Sequence, residues 1–551
     1  MKNLLNLIFI LASSILFGQD FNFWITFTDK SNSPHSIISP ETFLSERAIQ
    51  RRLNQGIEIT EQDIPVDPSY LQYLIDNYNV TIRHTSKWFN SVSINTTDSS
   101  LIDSITTLPF VSGGQHVNKL FVDFGVENEK NFQKISQRKL SLQGERTFDY
   151  GISFDQVNQI GGVDMHELGL QGQGIQIAVL DAGYPGVDVL EVFDSLRANG
   201  QIIDTWDFVN GSSYVFHENS HGTMVLSTMG GFLPGELIGT APKASYHLYI
   251  TEDVSQEAWV EEDNWIAGVE RADSVGADIC NTSLGYTTMD DPNQSHEYAD
   301  LDGNTLRISI AADIAASKGM LMVNSAGNSG DSPWYYIGAP ADGDSVLAVG
   351  AVNTNGDLAS FSSRGPSSDG DIKPNVCGVG WGTVVCSSQG DVFQGNGTSF
   401  SGPIIAGMSA CLWQGKPGAT SMEIKEAIEE SSHMYNNPDN NYGYGIPNYL
   451  LAFTTITGST IPDNPEGFEI IGPNPFNEYL IFSLTTESYR GFVEIQVVNA
   501  AGQVLLSQDQ YVDDKVRYEF SLNVEGDLAP GIYFLRVIGE DFSDVRRMVK
   551  W

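Results

Sequence analysis

Five short apolar runs alternate with four longer segments of helical periodicity, and this alternation constrains the fold more than any other feature of the chain. The strand-like runs are 175–181, 246–250, 279–283, 320–325 and 346–352, and the helical segments are 255–275, 305–318, 399–414 and 421–431. This pattern predicts an α/β fold, a parallel sheet with helices on both faces. Because catalytic groups of such sheets gather beyond the carboxyl ends of the strands, we expect the functional residues at that edge.

The first strand-like run closes on an aspartate. The segment Gly174–Gly183 is continuously apolar up to Asp181 and then turns at glycine, which is typical of a buried parallel strand. Two other interpretations are a solvated carboxylate at a strand end and a dinucleotide-binding loop. The second is disfavoured because the pattern G-x-G-x-x-G is absent and Pro185 lies in the turn.

A histidine and a serine stand in two further segments of unusual composition. His221 is followed by Gly and Thr, which would allow its ring to approach another loop closely. Ser399 follows Gly397-Thr and precedes Pro403 and an apolar stretch, so its hydroxyl is predicted at a helix N-terminus. Taken alone, the first is an ordinary structural histidine and the second an ordinary capped helix. Taken with Asp181, they stand in the chain order Asp, His, Ser of one known catalytic triad.

Residues 150–455 resemble the subtilisin-like serine proteases, or subtilases. The resemblance is carried by four segments in the family's order: Val179-Leu-Asp181-Ala-Gly183, His221-Gly-Thr223, Ser325-Ala-Gly-Asn328 and Gly397-Thr-Ser399-Phe-Ser-Gly-Pro403. The sequence departs from the family at Phe400, where methionine is common, and in the turn 373–380, which lacks a second proline. Neither departure touches a reacting group. The resemblance implies a subtilisin-like sheet and a serine endopeptidase that acts on extended or unfolded polypeptides.

The resemblance also implies a role for each site residue. His221 would be the general base, Asp181 would orient it, Ser399 would be the nucleophile, and Asn328 would hold the oxyanion with the backbone N–H of Ser399. The residues expected to border the substrate are Ser283, Leu284, Gly285, Ala326 and Gly327. Their leucine and alanine walls suggest a preference for an apolar residue before the scissile bond. The chemistry requires no cofactor, and structural calcium is common in the family, although no ligands can be named from this sequence.

Most of the negative charge falls in the predicted catalytic unit. The chain has a formal net charge of −40, and residues 151–455 contain 9 Lys or Arg against 38 Asp or Glu. Such a surface repels nucleic acid and anionic membranes, so neither is an expected partner.

The N-terminal part of the chain indicates an exported precursor. Residues 1–18 have the pattern of a secretory signal peptide and are too short to remain as a membrane span. Residues 20–145 alternate strand-like and helical runs, predict a small α+β domain and resemble the inhibitory prodomains of subtilases. The polar stretch Gln133–Arg146 would be the linker that is cut. A permanent binding module is the alternative for this unit.

The C-terminal part reads as a separate all-β unit. A linker rich in Pro, Gly and Asn, residues 456–467, precedes seven strand-like runs in 468–551, and this spacing predicts a β-sandwich. The segments Pro473-Asn-Pro-Phe476 and Leu528-Ala-Pro-Gly-Ile-Tyr533, with a basic C-terminus, resemble the sorting domain of type IX secretion cargo. The resemblance implies the secretion machinery as a partner and a secreted or cell-surface location. The alternative is a sandwich that binds carbohydrate or protein.

Four cysteines leave the disulfide question open. Cys377 and Cys386 are close in sequence among glycines, so the spacing permits a bridge, whereas Cys280 and Cys411 are expected to be buried thiols. For the whole chain, the alternative to a self-inhibited protease is a catalytically silent, subtilase-shaped binding or adhesion protein.

Overall fold

The computed structural model describes residues 21–117, residues 147–457, and, between 467 and 550, seven strands with residues 528 and 539. The predicted signal peptide, the predicted cleavage linker Gln133–Arg146 and most of the predicted linker 456–467 lie outside the described residues. Among the described helices, none has the length and apolar character needed to cross a bilayer.

The N-terminal unit is a four-stranded antiparallel sheet with three helices. Its strands run in the order β2-β3-β1-β4. They are β1 (Phe21–Phe27), β2 (Thr81–Ser86), β3 (Ser91–Thr96) and β4 (Val111–His116), and the helices are α1 (Glu46–Gln55), α2 (Pro68–Asn77) and α3 (Leu101–Ile105). The helix ends follow local chemistry, since the Ser45 side chain caps α1 and Asp67 followed by Pro68 starts α2. The predicted α+β character of this unit agrees with this arrangement.

The central unit is built on a seven-stranded parallel sheet, as the alternating pattern predicts. Its order is β13-β12-β11-β10-β5-β9-β6. The strands are β5 (Gln176–Asp181), β6 (Ile202–Asp207), β9 (Ser245–Ile250), β10 (Ile279–Thr282), β11 (Leu321–Ser325), β12 (Leu347–Val352) and β13 (Val376–Val379). Two short hairpins lie outside this sheet, β7 (Phe232–Leu233) with β8 (Leu237–Ile238), and β14 (Trp381–Cys386) with β15 (Val392–Asn396).

Helices cover both faces of this sheet. They are α4 (Phe154–Asn158), α5 (Gly162–Glu167), α6 (Asp194–Ala198), α7 (His221–Gly230), α8 (Trp259–Val275), α9 (Arg307–Ser317), α10 (Thr398–Gly415), α11 (Ser421–Glu430) and α12 (Tyr449–Thr457). Successive side chains of β5 point to opposite faces, so Ile177 and Val179 join the core beneath α10, while Ala178 and Leu180 join the core beneath α8 and α9. Short 3₁₀ turns occur at 40–42, 61–63, 151–153, 191–193 and 298–300.

The N-terminal unit docks on the outer side of α8. Trp24, Trp88 and Val117 from that unit are buried in the same core as α8 and α9. Polar contacts flank this apolar centre, and the largest group joins Arg51, Arg52 and Lys87 to the fully buried Asp273 of α8. The contact therefore combines apolar burial with buried charge.

The C-terminal strands form two antiparallel sheets. One has the order β16-β17-β20 and the other β19-β18-β21-β22. The strands are β16 (Gly467–Ile470), β17 (Tyr479–Thr485), β18 (Gly491–Asn499), β19 (Val504–Val512), β20 (Arg517–Asn523), β21 (Gly531–Ile538) and β22 (Ser543–Lys550). Both sheets contribute to one core, with Phe482 from the first and Val493 and Leu535 from the second. This is the predicted all-β sandwich.

Candidate active site

Asp181 lies at the carboxyl end of β5, where the sequence predicts it. The residue is 2 % exposed, and its Oδ1 accepts the backbone N–H of Ala182 at 2.7 Å. The neighbouring strand β9 is in register with β5 up to Asp181, and the N–H of Thr251 donates to the Asp181 carbonyl. The central strands therefore hold this carboxylate rigidly at the edge of the sheet.

His221 is the first residue of α7, and the glycine after it explains its position. A Cβ on Gly222 would lie 2.5 Å from the carbonyl oxygen of Gly183 and 3.0 Å from Cβ of Asp181. Only glycine therefore lets α7 approach the loop after β5 so closely. The Thr223 hydroxyl donates to the Pro185 carbonyl at 2.9 Å and holds the same loop. This close approach is what the His-Gly-Thr sequence predicts.

The imidazole of His221 and the carboxylate of Asp181 form a hydrogen-bonded pair. Nδ1 of His221 lies 2.8 Å from Oδ1 of Asp181, and the histidine side chain is 31 % exposed. Because the carboxylate can only accept, Nδ1 carries a proton and Nε2 is left as the basic atom of the neutral ring. Burial alone would lower the pKa of His221, but the negative charge of Asp181 and its hydrogen bond outweigh burial and raise it.

Ser399 is the second residue of α10, at the helix N-terminus as predicted. Pro403 lies inside this helix and has no N–H to donate to the Ser399 carbonyl, four residues earlier. The Ser283 hydroxyl donates to that carbonyl at 3.0 Å instead, and the Ser399 hydroxyl donates to the Ser283 carbonyl at 3.2 Å. In this state the described hydrogen bond of the Ser399 hydroxyl is with Ser283 and not with the imidazole. Catalytic hydrogen bonds are often unformed until substrate binds.

Asn328 lies in the loop after β11, and its amide orientation is set by Thr398. Oδ1 of Asn328 accepts the Thr398 N–H at 2.8 Å and the Thr398 hydroxyl at 3.1 Å. Since an N–H must donate to oxygen, the amide cannot be reversed, and Nδ2 is the atom left to donate. A Cβ built on Gly397 would lie 3.8 Å from both Nδ2 of Asn328 and Cβ of Ser399. Asn328 and Ser399 also line the same cavity.

A cavity of about 130 Å³ opens beside Ser399 and Asn328. Of the residues expected to border the substrate, Ser283, Leu284, Gly285 and Gly327 line it. Ala326 does not, because it is fully buried in a small cluster with Ile337, Ala341 and Ala348. The other lining residues, which were not expected to border the substrate, are Thr287, Ser325, Ser329, Tyr336, Gly338, Ser363 and Thr398.

The lining of this cavity is more polar than the leucine and alanine walls suggested. Seven of the lining residues are serine or threonine, and none is charged. These residues come from β11, from the segments after β10 and β11, from the first residue of α10 and from segments near residues 336–338 and 363. Thr287, Tyr336, Gly338 and Ser363 carry no local sequence signal, because only tertiary packing brings them to this cavity.

Glu252, just beyond β9, is a further acidic group that the sequence did not single out. Its two carboxylate oxygens accept the Tyr286 hydroxyl at 2.7 and 2.9 Å. Burial raises the pKa of Glu252 to about 8, and its charge contributes to the raised pKa of His221. Its position next to Asp181 follows from the register of β9 with β5, which the sequence alone does not give.

The cysteines and carboxylates outside the site do not add to its chemistry. All four cysteines are free and buried, so the bridge between Cys377 and Cys386 that the spacing permits is not formed. Burial raises the pKa of the Cys377 and Cys386 thiols well above the ordinary value, to about 12 for Cys386. In the described residues, the group of carboxylates that could hold a metal ion is Asp344, Asp369 and Asp371, which are all exposed.

Comparisons with known proteins match all three units. The profile of the Subtilase family matches residues 172–445. The profile of the Peptidase S8 propeptide domain, Bacteroidota, matches residues 22–135, and that of the secretion system C-terminal sorting domain matches residues 471–550. The sorting domain indicates export by the type IX system to the cell surface or the extracellular space.

Individual relatives agree with the family profiles. Subtilisin E of Bacillus subtilis (strain 168) is 29% identical over 325 residues, which cover 58% of this chain and 74% of the relative. Subtilisin DY of Bacillus licheniformis is 28% identical over 311 residues, which cover 56% and 99%. Among solved structures, MycP1 from Mycobacterium smegmatis is 20% identical with a TM-score of 0.45, over 61% of this chain and 91% of that chain.

Proposed function

We propose that Ser399, His221 and Asp181 form the catalytic triad of this chain. Residues 172–445 belong to the subtilase family and form a serine endopeptidase. The chain is a secreted, subtilisin-like protease precursor. The observation that carries the assignment is the 2.8 Å contact between Nδ1 of His221 and Oδ1 of Asp181. It fixes the tautomer in which Nε2 is free to accept a proton.

The reaction follows from these positions. The Ser399 hydroxyl gives up its hydrogen bond to the Ser283 carbonyl. Its oxygen then attacks the carbonyl carbon of the substrate peptide, while its proton passes to Nε2 of His221. Asp181 stays ionised and stabilises the imidazolium. The imidazolium then gives the proton to the leaving amine, the C–N bond breaks, and an acyl-enzyme remains on Ser399. Water, deprotonated by the same histidine, attacks the acyl carbon, and the C–O bond to Ser399 breaks. His221 returns the proton to the Ser399 oxygen, and the acid product leaves.

The oxyanion of the tetrahedral intermediate would be held by Nδ2 of Asn328 and the backbone N–H of Ser399. The argument for Asn328 is that its oxygen is already occupied by Thr398, so its nitrogen must face the other way. Donors that are fixed before the reaction stabilise the developing charge without reorganisation. The N-terminus of α10 adds a favourable dipole at the same place.

The substrate would be an extended polypeptide lying along the segment Ser283–Gly285. Main-chain pairing with such a segment is independent of substrate sequence and favours unfolded or extended chains. The side chain before the scissile bond would enter the cavity next to Ser399. The cavity is small, and more of its lining residues carry a hydroxyl group than an apolar side chain. We therefore expect a small or neutral polar substrate side chain there rather than a large apolar one.

The propeptide domain would hold the enzyme inactive until the linker is cut. It docks on α8 through Trp24, Trp88 and the charges around Asp273. Processing is expected within residues 133–150, after which the domain would remain bound only by these contacts. The catalytically silent alternative predicts neither processing nor turnover.

A serine-directed phosphonate tests the proposal. Purified precursor should process, hydrolyse a denatured protein and carry the phosphonate on Ser399, as located by peptide mass spectrometry. Ser399→Ala should do none of these. Ser401→Ala is the matched control, since Ser401 is the next serine on the same helix and its hydroxyl is engaged with the Thr398 carbonyl. A fully active Ser399→Ala protein, or a label found elsewhere, would overturn the assignment.

A further inference from the structure

The aromatic ring next to the candidate nucleophile packs against the candidate base. Phe400 is 4 % exposed, and its ring centroid lies 6.1 Å from that of His221 with an angle of 29° between the planes. This separation and near-parallel orientation are within the range of favourable offset-stacked rings. The imidazole is therefore held by Asp181 at Nδ1 and bounded by Phe400 on one side.

A glycine on the neighbouring hairpin leaves the space for this ring. Gly395 of β15 is buried, and a Cβ built on it would lie 2.8 Å from Cε2 of Phe400. Cβ atoms are essentially never found so close to another heavy atom, so an alanine at 395 would have to displace the ring. The ring and the glycine are thus two parts of one packing arrangement beside His221.

We propose that Phe400 is a positioning residue for His221, and that the absence of a side chain at Gly395 leaves the space that the Phe400 ring occupies. The inference rests on the proposed function, because it assigns Phe400 a part in the proton transfer of that mechanism. Phe400 does not touch the reacting atoms. It restrains the imidazole plane and presents aromatic surface to the ring that becomes cationic.

The aromatic ring acts differently on the two protonation states of His221. An imidazolium beside an aromatic face is stabilised by the ring quadrupole, while the neutral imidazole gains less. The described carboxylates that act on His221 are Asp181 at the end of β5 and Glu252 beyond β9, and both stay unchanged when Phe400 is replaced. A shift of the acidic limb of the pH profile of kcat/KM in a Phe400 variant therefore reports the effect of the aromatic ring on His221.

The first test is Phe400→Leu, which removes the aromatic face and keeps an apolar side chain. We expect kcat to fall about 2- to 5-fold, the size of an exposed cation–π contribution, with KM unchanged. The acidic limb of kcat/KM should move to lower pH, because the charged form of His221 loses stabilisation. Phe400→Tyr keeps the face and should retain the native limb. Where Phe400→Leu does not fold, Phe400→Met carries the same test.

The second test is a double-mutant cycle with Gly395→Ala. This variant should lower kcat in the native background by displacing the ring, and should cost little when combined with Phe400→Leu, since the smaller side chain leaves room for the methyl group. Additive effects, or an acidic limb that Phe400→Leu leaves in place, would overturn the inference. Phosphonate labelling of native Ser399 is a separate readout, so failure of the triad assignment is distinguishable from failure of the positioning role.

Discussion

Asp273 lies at the centre of the contact between the propeptide and catalytic domains, and Asp273→Asn should weaken that contact strongly. Its side chain is fully buried. Oδ1 and Oδ2 accept hydrogen bonds from Nη2 of Arg52 at 2.9 and 3.0 Å, and Oδ2 also accepts one from Nζ of Lys87 at 2.7 Å. Arg51 contributes a third cation. Burial would raise the pKa of Asp273, but these cations outweigh it and hold the pKa far below its usual range.

The magnitude follows from what the substitution leaves behind. Removing one partner of a buried ion pair costs about 3–5 kcal/mol, because the remaining charge is buried without compensation. Asp63 stays bonded to Arg52 at 2.9 Å and offsets part of this cost. Since every 1.4 kcal/mol is tenfold in affinity, we expect the dissociation constant of the processed propeptide to rise by about 100-fold or more.

The assay uses the processed enzyme, in which cleaved propeptide and catalytic domain are held without a covalent link. After dilution, the apparent dissociation constant is obtained from the peptidase activity regained at equilibrium. Asp204→Asn is the matched control, because Asp204 binds Arg271 through two hydrogen bonds and both residues are in the catalytic domain. A cycle of Asp273→Asn with Arg52→Met isolates the pair from the rest of the contact.

Two outcomes would contradict this reasoning. An Asp273→Asn enzyme with the native dissociation constant would show that the buried charges contribute nothing net to docking. A large fall in the free energy of unfolding of the mature catalytic domain would show that Asp273 acts within that domain instead. We expect that fall to be small, since Arg51, Arg52 and Lys87 all belong to the propeptide.

Three further predictions concern the site and the pH dependence of docking. Asn328→Leu should lower kcat about 10²- to 10³-fold with little change in KM, as measured with a chromogenic peptide, because one oxyanion donor is lost. Asp181→Asn should lower kcat about 10⁴-fold near neutral pH, and should move the acidic limb of kcat/KM to lower pH because the carboxylate that raises the pKa of His221 is gone. Burial at the interface lowers the pKa of His84 to about 4. Protonation of His84 below its ordinary pKa of about 6.5 therefore opposes docking, so the dissociation constant of the native protein should rise relative to that of His84→Gln as pH falls from 6.5 towards 4.

Each of these has its own control. A native kcat in Asn328→Leu would remove this residue from the oxyanion site, and an unmoved limb in Asp181→Asn would mean that another group sets it. For His84, the comparison is His35→Gln, a histidine whose described hydrogen bond is within the propeptide. Equal slopes in His84→Gln and His35→Gln would exclude His84 as the group that titrates.

The edge of the sheet that carries the candidate site could be predicted because local sequence determines it. An apolar run that ends on Asp181 is a buried strand with a carboxylate at its end, whatever surrounds it. The glycine after His221 and the proline after Ser399 each have a steric or hydrogen-bonding reason that acts within a few residues. These features can therefore be recognised from the local sequence, without knowledge of the rest of the fold.

Other elements could not be predicted because tertiary pairing decides them. Strand β4 has the sequence Val-Ser-Gly-Gly-Gln-His, whose glycines argue against a strand, and it forms only because β1 pairs with it. Strand β13 has four residues and pairs with β12 at the edge of the parallel sheet. The burial of Ala326 has the same origin, since its N–H continues the pairing of β11 with β12 by donating to the Val349 carbonyl.

The contact between propeptide and catalytic domain also could not be predicted from the sequence. Residues 21–117 contain six Lys or Arg. Four of them bind carboxylates of the strongly acidic catalytic domain: Arg47, Arg51, Arg52 and Lys87. Because buried pairs are screened little by salt, this contact should resist ionic strength far better than surface charge would. Protonation of His84, whose Nε2 lies 2.9 Å from Oδ1 of Asn264, acts against docking instead. The ion pairs of Asp273 and the titration of His84 therefore involve different residues, and each can be changed without the other.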